Sequence, residues 1–400
     1  MFIILFGRVI NGIIAFMVIV LINCILTNND YIMYSKNIAY LTFLTTFSSG
    51  VLSSLFIRNG FKLNENDDSI IMLGILFFFI LSIVPIELSV LFHLFSNLNR
   101  FIIYLYVFLN IIFAISIADM QVKQNFYYAV VLDILKTLFP FGIFFYFKIQ
   151  DFHEINLNII ISILTLANIF GVYYFLKNIK LSFNKIKEVE IYIKQKFSSD
   201  LIFGISLISF NSLTQYITGK DRDIISQTII TNNSVVAYTA DLITKILNAF
   251  LFPFNTKISS ELGAMFNENK KNQMYNNINV YSFSVLLLGI ILTSLLYFLH
   301  FYFNFLYFLK KVDGHSIIIY GLSNTFLMSL IIYQKFYDYG NYKLLPPFLL
   351  MSSFFIVITT SRLSLHTNNI LFMTVTIYGF LLLFAKFIIF KTKKNESLDN

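Results

Sequence analysis

The sequence predicts an all-α polytopic membrane protein, with about 12 transmembrane helices in two parallel-repeat six-helix lobes around a central cavity. Composition, the spacing of apolar segments and an internal repeat predict this fold class. Of 400 residues, 57% are hydrophobic and 12% are charged, whereas soluble domains are roughly 45 to 50% apolar and about 25% charged. The single cysteine, Cys24, lies in the first apolar run, which excludes a disulfide framework or a thiolate metal cluster.

Twelve segments are long and apolar enough to cross a bilayer as helices, which takes about 20 residues each. The first begins at Phe2 and lacks the basic region and cleavage site of a signal peptide, so it is expected to remain as the first membrane helix. No connection between segments is long enough to fold as a soluble domain. The predicted segments are 2–27, 38–58, 70–93, 100–118, 126–147, 155–177, 201–230, 235–261, 278–303, 315–335, 344–361 and 369–390.

The cations of the chain indicate its orientation. With the amino terminus in the cytoplasm, cytoplasmic loops and tail hold 16 Lys and Arg residues and the outer loops hold 6. Because Lys and Arg accumulate on the cytoplasmic side of membrane proteins, both termini are predicted to be cytoplasmic, in the bacterial cytoplasmic (inner) membrane. The net charge of +8 is therefore interpreted as a topology signal, and nucleic acid is not an expected partner.

Two stretches of eleven residues are nearly the same. ILTNNDYIMYS begins at Ile25 and IITNNSVVAYT begins at Ile229, 204 residues later. The longest and most basic connection divides the segments into two sets of six. Because six is even, both sets begin on the same side, as in a parallel repeat about an axis along the membrane normal. The sequence predicts an N-terminal six-helix lobe (1–177), a basic cytoplasmic linker (178–199) and a C-terminal six-helix lobe with a short tail (200–400).

The repeat also places four consecutive charges. At the same offset, Lys220, Asp221, Arg222 and Asp223 align with residues 16–19 of the first segment. This alignment favours a position inside the seventh helix, although an outer loop after a helix ending at Gly219 is the alternative. A charge at the bilayer centre costs about 2.5 to 3.5 kcal/mol on insertion scales, so such residues normally face a polar cavity or each other.

Other charges fall inside the predicted helices. Asp133 and Lys136 are three residues apart and Asp241 and Lys245 are four apart, so each pair can share one helix face. Each pair is either a structural ion pair or part of a cavity with an ion-coupling role. Arg8 lies just over one turn inside the first segment, where it either extends to the interface or faces a cavity.

The motifs of common enzymes are missing from the sequence. It contains no HExxH, no Cys or His ligand cluster, no Walker loop, no GxSxG and no dinucleotide fingerprint. We therefore expect no metal and no cofactor, and a transporter is favoured over an enzyme.

The run GKDRDIISQTIITNNSVVAYTADLITKILNAFLFPFNTKISSEL, which begins at Gly219, resembles the seventh and eighth helices of bacterial polysaccharide flippases. These are the O-antigen and capsule repeat-unit translocases of the multidrug/oligosaccharidyl-lipid/polysaccharide exporter superfamily. NDYIMYSKNIAYLTF and SSGVLSSLFIRNG are similar to the first helix pair of that family. The positions that match the family pattern in the seventh and eighth helices are Asp221, Arg222, Tyr238, Thr239, Ala240 and Pro253.

The resemblance implies that the substrate is an undecaprenyl-diphosphate-linked oligosaccharide, moved from the inner to the outer leaflet for surface polysaccharide synthesis. The diphosphate needs Arg or Lys partners, and Asp side chains could contact sugar hydroxyls or couple ion movement. A polysaccharide polymerase is a possible partner. The candidate substrate-binding residues are Arg8, Arg58, Lys220, Asp221, Arg222, Asp223 and Lys245, and those for ion coupling or an intramembrane pair are Asp133, Lys136 and Asp241.

Two alternatives remain at this point. A membrane polysaccharide polymerase of the same pathway would be an enzyme. Polymerases of this kind typically have one large outer loop that bears Arg and His. A multidrug or cation antiporter of the same superfamily would carry fewer cations and more carboxylates in its cavity.

Overall fold

The described parts of the chain are helical, with short turns between the helices. The computed structural model describes residues 2–60, 82–91, 93–95, 97–123, 125–152, 155–178, 215, 218, 221, 222, 225, 233–267, 270–302, 312–340, 379 and 381–386. The main helices are α1 (Phe2–Ile25), α2 (Asn28–Gly60), α3 (Ser82–Leu91), α4 (Arg100–Val122), α5 (Phe126–Ile149), α6 (Leu157–Leu166), α7 (Ile169–Asn178), α8 (Asn233–Asn267), α9 (Lys271–Tyr302) and α10 (Gly314–Gly340).

Seven stretches of the described helices are long and apolar enough to cross a membrane. They lie in α1, α4, α5, the α6–α7 pair, α8, α9 and α10, and each coincides with a predicted segment. This confirms the all-α class. The segment predicted at 344–361 and most of those at 201–230 and 369–390 lie outside the described residues, so the count of twelve stays a prediction.

Helix α2 begins ten residues earlier than the sequence analysis predicted, at Asn28 and not near residue 38. The reason is a reciprocal cap. The Thr27 hydroxyl donates to Asp30 Oδ2 at 2.7 Å, and the Asp30 backbone N–H donates to Thr27 Oγ1 at 3.2 Å. The Thr27 oxygen thus satisfies the Asp30 amide of the first turn, as an N-cap threonine does, and the Asp30 carboxylate orients the hydroxyl. The residues interpreted as a turn therefore form the first turns of a helix.

The internal repeat corresponds to equivalent helix starts. Helix α2 begins at Asn28 and α8 begins at Asn233, which is within one residue of the 204 offset. The two helices are also similar in length, with 33 and 35 residues. Each copy of the repeated stretch thus leads directly into a helix that is longer than a bilayer requires.

The chain divides into two compact units, Met1–Asp223 and Ile224–Asn400. In the first unit α1 packs against α5, and α4 packs against α2, α6 and α7. Residues up to Asp223 group with the first unit, whereas the predicted C-terminal lobe begins at residue 200. The predicted linker, 178–199, lies almost wholly outside the described residues, so its position stays a prediction.

In the second unit α8, α9 and α10 pack against one another. Helices α9 and α10 approach closely at two reciprocal contacts. A Cβ at Gly289 would lie 2.4 Å from Thr325 Oγ1, and a Cβ at Gly321 would lie 2.3 Å from Thr293 Cγ2. Each glycine therefore accommodates a threonine of the other helix, as small residues do at close helix crossings in membrane proteins.

Candidate functional site

Arg8 and Asp133 form an ion pair between two helices of the first unit. Arg8 Nη1 lies 2.9 Å from Asp133 Oδ2, which joins α1 to α5, and the two side chains are 25% and 16% exposed. Both residues lie in helices that are apolar enough to cross a membrane. Charged groups in such positions are expected to pair because an isolated charge is costly there.

Lys136 joins the same group from one turn further along α5. Its Nζ donates to Asn110 Oδ1 on α4 at 3.0 Å and lies 4.2 Å from the centroid of the Phe113 ring. Lys136 follows Asp133 by three residues, so the two side chains share one face of α5. Arg8, Asp133 and Lys136 are hereafter called the α1–α5 charge cluster. The two residues that the sequence placed on one face of α5 thus belong to a three-residue cluster rather than to an isolated pair.

A second polar contact reinforces the α1–α5 interface. The Thr137 hydroxyl donates to Asn11 Oδ1, and these residues follow Asp133 and Arg8 by about one helical turn. The amide and the hydroxyl therefore extend the charged contact along the two helices. Neither residue was identified from the sequence, since a single Asn or Thr in an apolar run gives no distinguishing signal.

Arg222 and Asp221 form a more deeply buried ion pair in the first unit. Arg222 Nη1 lies 2.7 Å from Asp221 Oδ2, and the side chains are 2% and 6% exposed. Arg222 Nε also donates to Ser35 Oγ on α2 at 3.0 Å. Residues 218, 221, 222 and 225 are helical, so at these positions the helix continues beyond Gly219, which is the interpretation that the repeat favoured.

The part of α2 next to this pair is polar and buried. Ser35, Lys36 and Asn37 are 3%, 7% and 0% exposed. Lys36 is one of the six Lys and Arg residues assigned above to the outer loops, and its place in a loop is wrong because α2 begins at Asn28. The capping pattern of Thr27 and Asp30 is the sequence signal that could have placed Lys36 inside a helix.

Two of the remaining candidates, Asp241 and Lys245, lie on α8. Lys245 is exposed on α8, and Asp241, one turn before it, is partly buried. The Arg58 side chain, Lys220 and Asp223 lie outside the described residues.

Neutral polar contacts link the helices of the second unit. Asn324 Nδ2 donates to Asn248 Oδ1 at 3.1 Å, and Asn255 Nδ2 donates to the Met328 carbonyl at 3.1 Å. Amide contacts of this kind hold membrane helices together. They fix α8 against α10 without placing a charge between them.

A cleft of about 650 Å³ lies where α2 and α6 begin. Its polar groups serve the helix starts: Asn156 Oδ1 accepts from the Asn158 backbone N–H at 2.9 Å, and Thr27 and Asp30 cap α2. The lining is therefore explained by helix capping. The lining residues are Thr27, Asp30, Met33, Asn97, Ile155, Asn156, Leu157 and Asn158.

Comparison with known proteins identifies the fold. No protein-family profile and no curated protein matches the sequence. A MATE crystal structure in complex with MaL6 is similar over 98% of this chain and 95% of its own, with a TM-score of 0.62 and 10% identity. This chain has the MATE transporter fold. At such low identity the likeness establishes the fold of a multi-pass membrane protein and leaves the substrate open.

Two further structures of the MOP superfamily have this fold. A MOP superfamily transporter from Pyrococcus furiosus, described as having a binding pocket of reverse polarity that suggests a different function, covers 98% of this chain and 95% of its own, with a TM-score of 0.58 and 11% identity. An outward-facing multidrug resistance MATE transporter covers 99% and 97%, with a TM-score of 0.54 and 11% identity.

Proposed function

We propose that this chain is a transporter, not an enzyme, which moves an undecaprenyl-diphosphate-linked oligosaccharide across the bacterial cytoplasmic membrane for O-antigen or capsule synthesis. Both termini would face the cytoplasm, and a polysaccharide polymerase would receive the product. The MATE fold supports the transporter class. The substrate class rests on the resemblance of the seventh and eighth helices to polysaccharide flippases and on the charges of the first unit.

One observation carries the substrate proposal: Arg8 pairs with Asp133 at 2.9 Å, and a second cation, Lys136, lies one turn further along α5. The group has one positive charge in excess, in helices that are apolar enough to span a membrane. Cations in such a setting favour an anionic ligand. A diphosphate is such a ligand, and a guanidinium binds phosphate oxygens in bidentate fashion.

Multidrug export is the second candidate function. The multidrug resistance MATE transporter of the same fold supports it, as does the partial exposure of Asp133, because a carboxylate can bind a cationic drug. The excess of cations over carboxylates in the α1–α5 charge cluster opposes it. The Pyrococcus transporter is a case in which pocket polarity suggests a different function within this fold.

Complementation tests the proposal directly. The chain is expressed in a bacterium that lacks its own repeat-unit flippase and has relaxed sugar specificity, and surface polysaccharide is stained. Wild type is expected to restore surface glycan. If the chain reaches the membrane at normal levels but restores no surface glycan, lipid-linked repeats are measured in the native deletion strain. Repeats held on the cytoplasmic side support the proposal, and their absence refutes it.

Two variants connect the activity to the charge cluster. Arg8→Ala is expected to lower surface glycan about tenfold or more, since a hydrogen bond to a charged group contributes about 1.5 to 3 kcal/mol. Lys148→Ala is the matched control because Lys148 is an exposed cation near the end of α5. Surface glycan at wild-type levels in the Arg8→Ala strain would refute the assignment, and a change in ethidium efflux with no glycan would favour drug export.

A further inference from the structure

The two ion pairs of the first unit differ in accessibility. Arg222 and Asp221 are 2% and 6% exposed, whereas Arg8 and Asp133 are 25% and 16% exposed. More of the Arg8–Asp133 pair than of the Arg222–Asp221 pair thus lies at the surface of the packed helices. The more exposed pair is therefore suited to exchange partners, whereas the buried Arg222 joins its own helix to α2 through Ser35.

We infer that Asp133 is a built-in substitute for the substrate phosphate, which pairs with Arg8 and is displaced from it when a phosphate group binds to Arg8 and Lys136. This inference rests on the proposed function and adds a role for Asp133 that the proposal does not assign. Asp133 acts as a positioning and affinity-setting residue. The phosphate contacts are made by Arg8 and Lys136.

The placement of Lys136 allows the exchange. Asn110 and the Phe113 ring on α4 hold its ammonium group through contacts that do not involve Asp133. An ammonium carries three N–H donors, and one of them is directed to Asn110. Lys136 thus keeps its position when Asp133 leaves, so that the ligand meets a cation that is already in place.

Charge explains why a phosphate group can displace the carboxylate. A carboxylate carries one negative charge, whereas a diphosphate carries at least two. Both anions accept the paired N–H donors of a guanidinium. Asp133 is attached to the protein and is always available at the site, so it competes with every ligand that arrives. This competition lowers the affinity for the ligand and favours its release after transport.

Removal of the competing charge tests the inference. The full chain, reconstituted in lipid nanodiscs, is titrated with radiolabelled inorganic pyrophosphate. Asp133→Asn retains the shape of the side chain and is expected to bind pyrophosphate about tenfold more tightly than wild type. Arg8→Ala and Lys136→Ala are each expected to weaken binding about tenfold, and the control Lys148→Ala is expected to bind like wild type. A second arm measures displacement of the label by undecaprenyl diphosphate in the disc, which separates a lipid headgroup from free diphosphate.

Each outcome decides for or against the exchange. Wild type that binds no pyrophosphate, or an Asp133→Asn variant that binds it equally or more weakly, overturns the inference. Because Asp133→Asn alters an ion pair, its elution profile and melting temperature are measured to check that it folds. Asp133→Glu, which retains the charge, is measured in the same way and is expected to bind pyrophosphate like wild type. Tighter binding by Asp133→Asn would uphold the exchange even if wild type fails to complement and the native deletion strain holds no lipid-linked repeats on the cytoplasmic side, a combination that refutes the flippase proposal. Complementation by wild type, together with a pyrophosphate affinity of Asp133→Asn equal to that of wild type, would support the flippase proposal and overturn the exchange.

Discussion

Arg222→Ala is the substitution whose effect on folding the structure specifies best. Arg222 is 2% exposed, pairs with Asp221 at 2.7 Å and donates to Ser35 at 3.0 Å. Its removal leaves the Asp221 carboxylate buried without this guanidinium. We therefore expect the variant to lose stability as well as any transport activity.

The magnitude follows from the burial of both partners. Breaking a buried ion pair by removing one side destabilises a protein by about 3 to 5 kcal/mol, whereas replacing both partners by apolar groups is often nearly neutral. The single variants Arg222→Ala and Asp221→Ala are each expected to fall in that range. The double variant, which removes both members of this pair, is expected to be more stable than either single variant, and residues in contact show such coupling of about 0.5 to 3 kcal/mol.

Thermal unfolding in detergent measures this order. The four proteins are heated, and the folded fraction is followed by fluorescence-detected size exclusion. The expected order of melting temperature is wild type, then the double variant, then the two single variants. An Arg222→Ala protein that melts with wild type, or a double variant that melts below both single variants, would show that the pair is not buried as described.

Two further substitutions test helix contacts by the same melting assay. Gly321→Ala places a Cβ 2.3 Å from Thr293 Cγ2 and is expected to lower the free energy of unfolding by about 1 to 3 kcal/mol. Adding Thr293→Ala is expected to restore part of that stability. Gly142→Ala is the control and should melt like wild type, because no atom lies within 4 Å of the added Cβ. Thr27→Ala removes the α2 cap and is expected to lower the free energy of unfolding by about 1 kcal/mol. Asn29 is an exposed residue of the same turn, so Asn29→Ala should have little effect. Equal melting temperatures of the two variants would contradict the capping role of Thr27.

The sequence predicted the helices well because the bilayer imposes a simple rule on them. An apolar run of sufficient length is recognisable from local composition alone, and the seven described spans coincide with predicted segments. The start of α2 was missed for a physical reason. Its first residues, Asn28 to Asp30, are polar and resemble a turn by composition, but a reciprocal hydrogen bond makes them a helix start.

The partners of the charged residues could be predicted only in part. Asp133 and Lys136 share a helix, so their spacing was enough to place them together. Arg8 reaches Asp133 from α1, and Arg222 reaches Ser35 from a position 187 residues away. Such contacts depend on which helices are neighbours, and hydropathy does not encode that choice.

The reciprocal Gly–Thr contacts between α9 and α10 fix the register of these two helices. Gly289 and Thr293 on α9 face Thr325 and Gly321 on α10 in antiparallel order. A slip of one turn in one direction would bring Thr293 onto Thr325, where both side chains compete for the same space. A slip in the other direction would bring the two glycines together and leave a gap. Sliding is therefore disfavoured both ways, and during any transport cycle α9 and α10 should travel as one rigid hairpin.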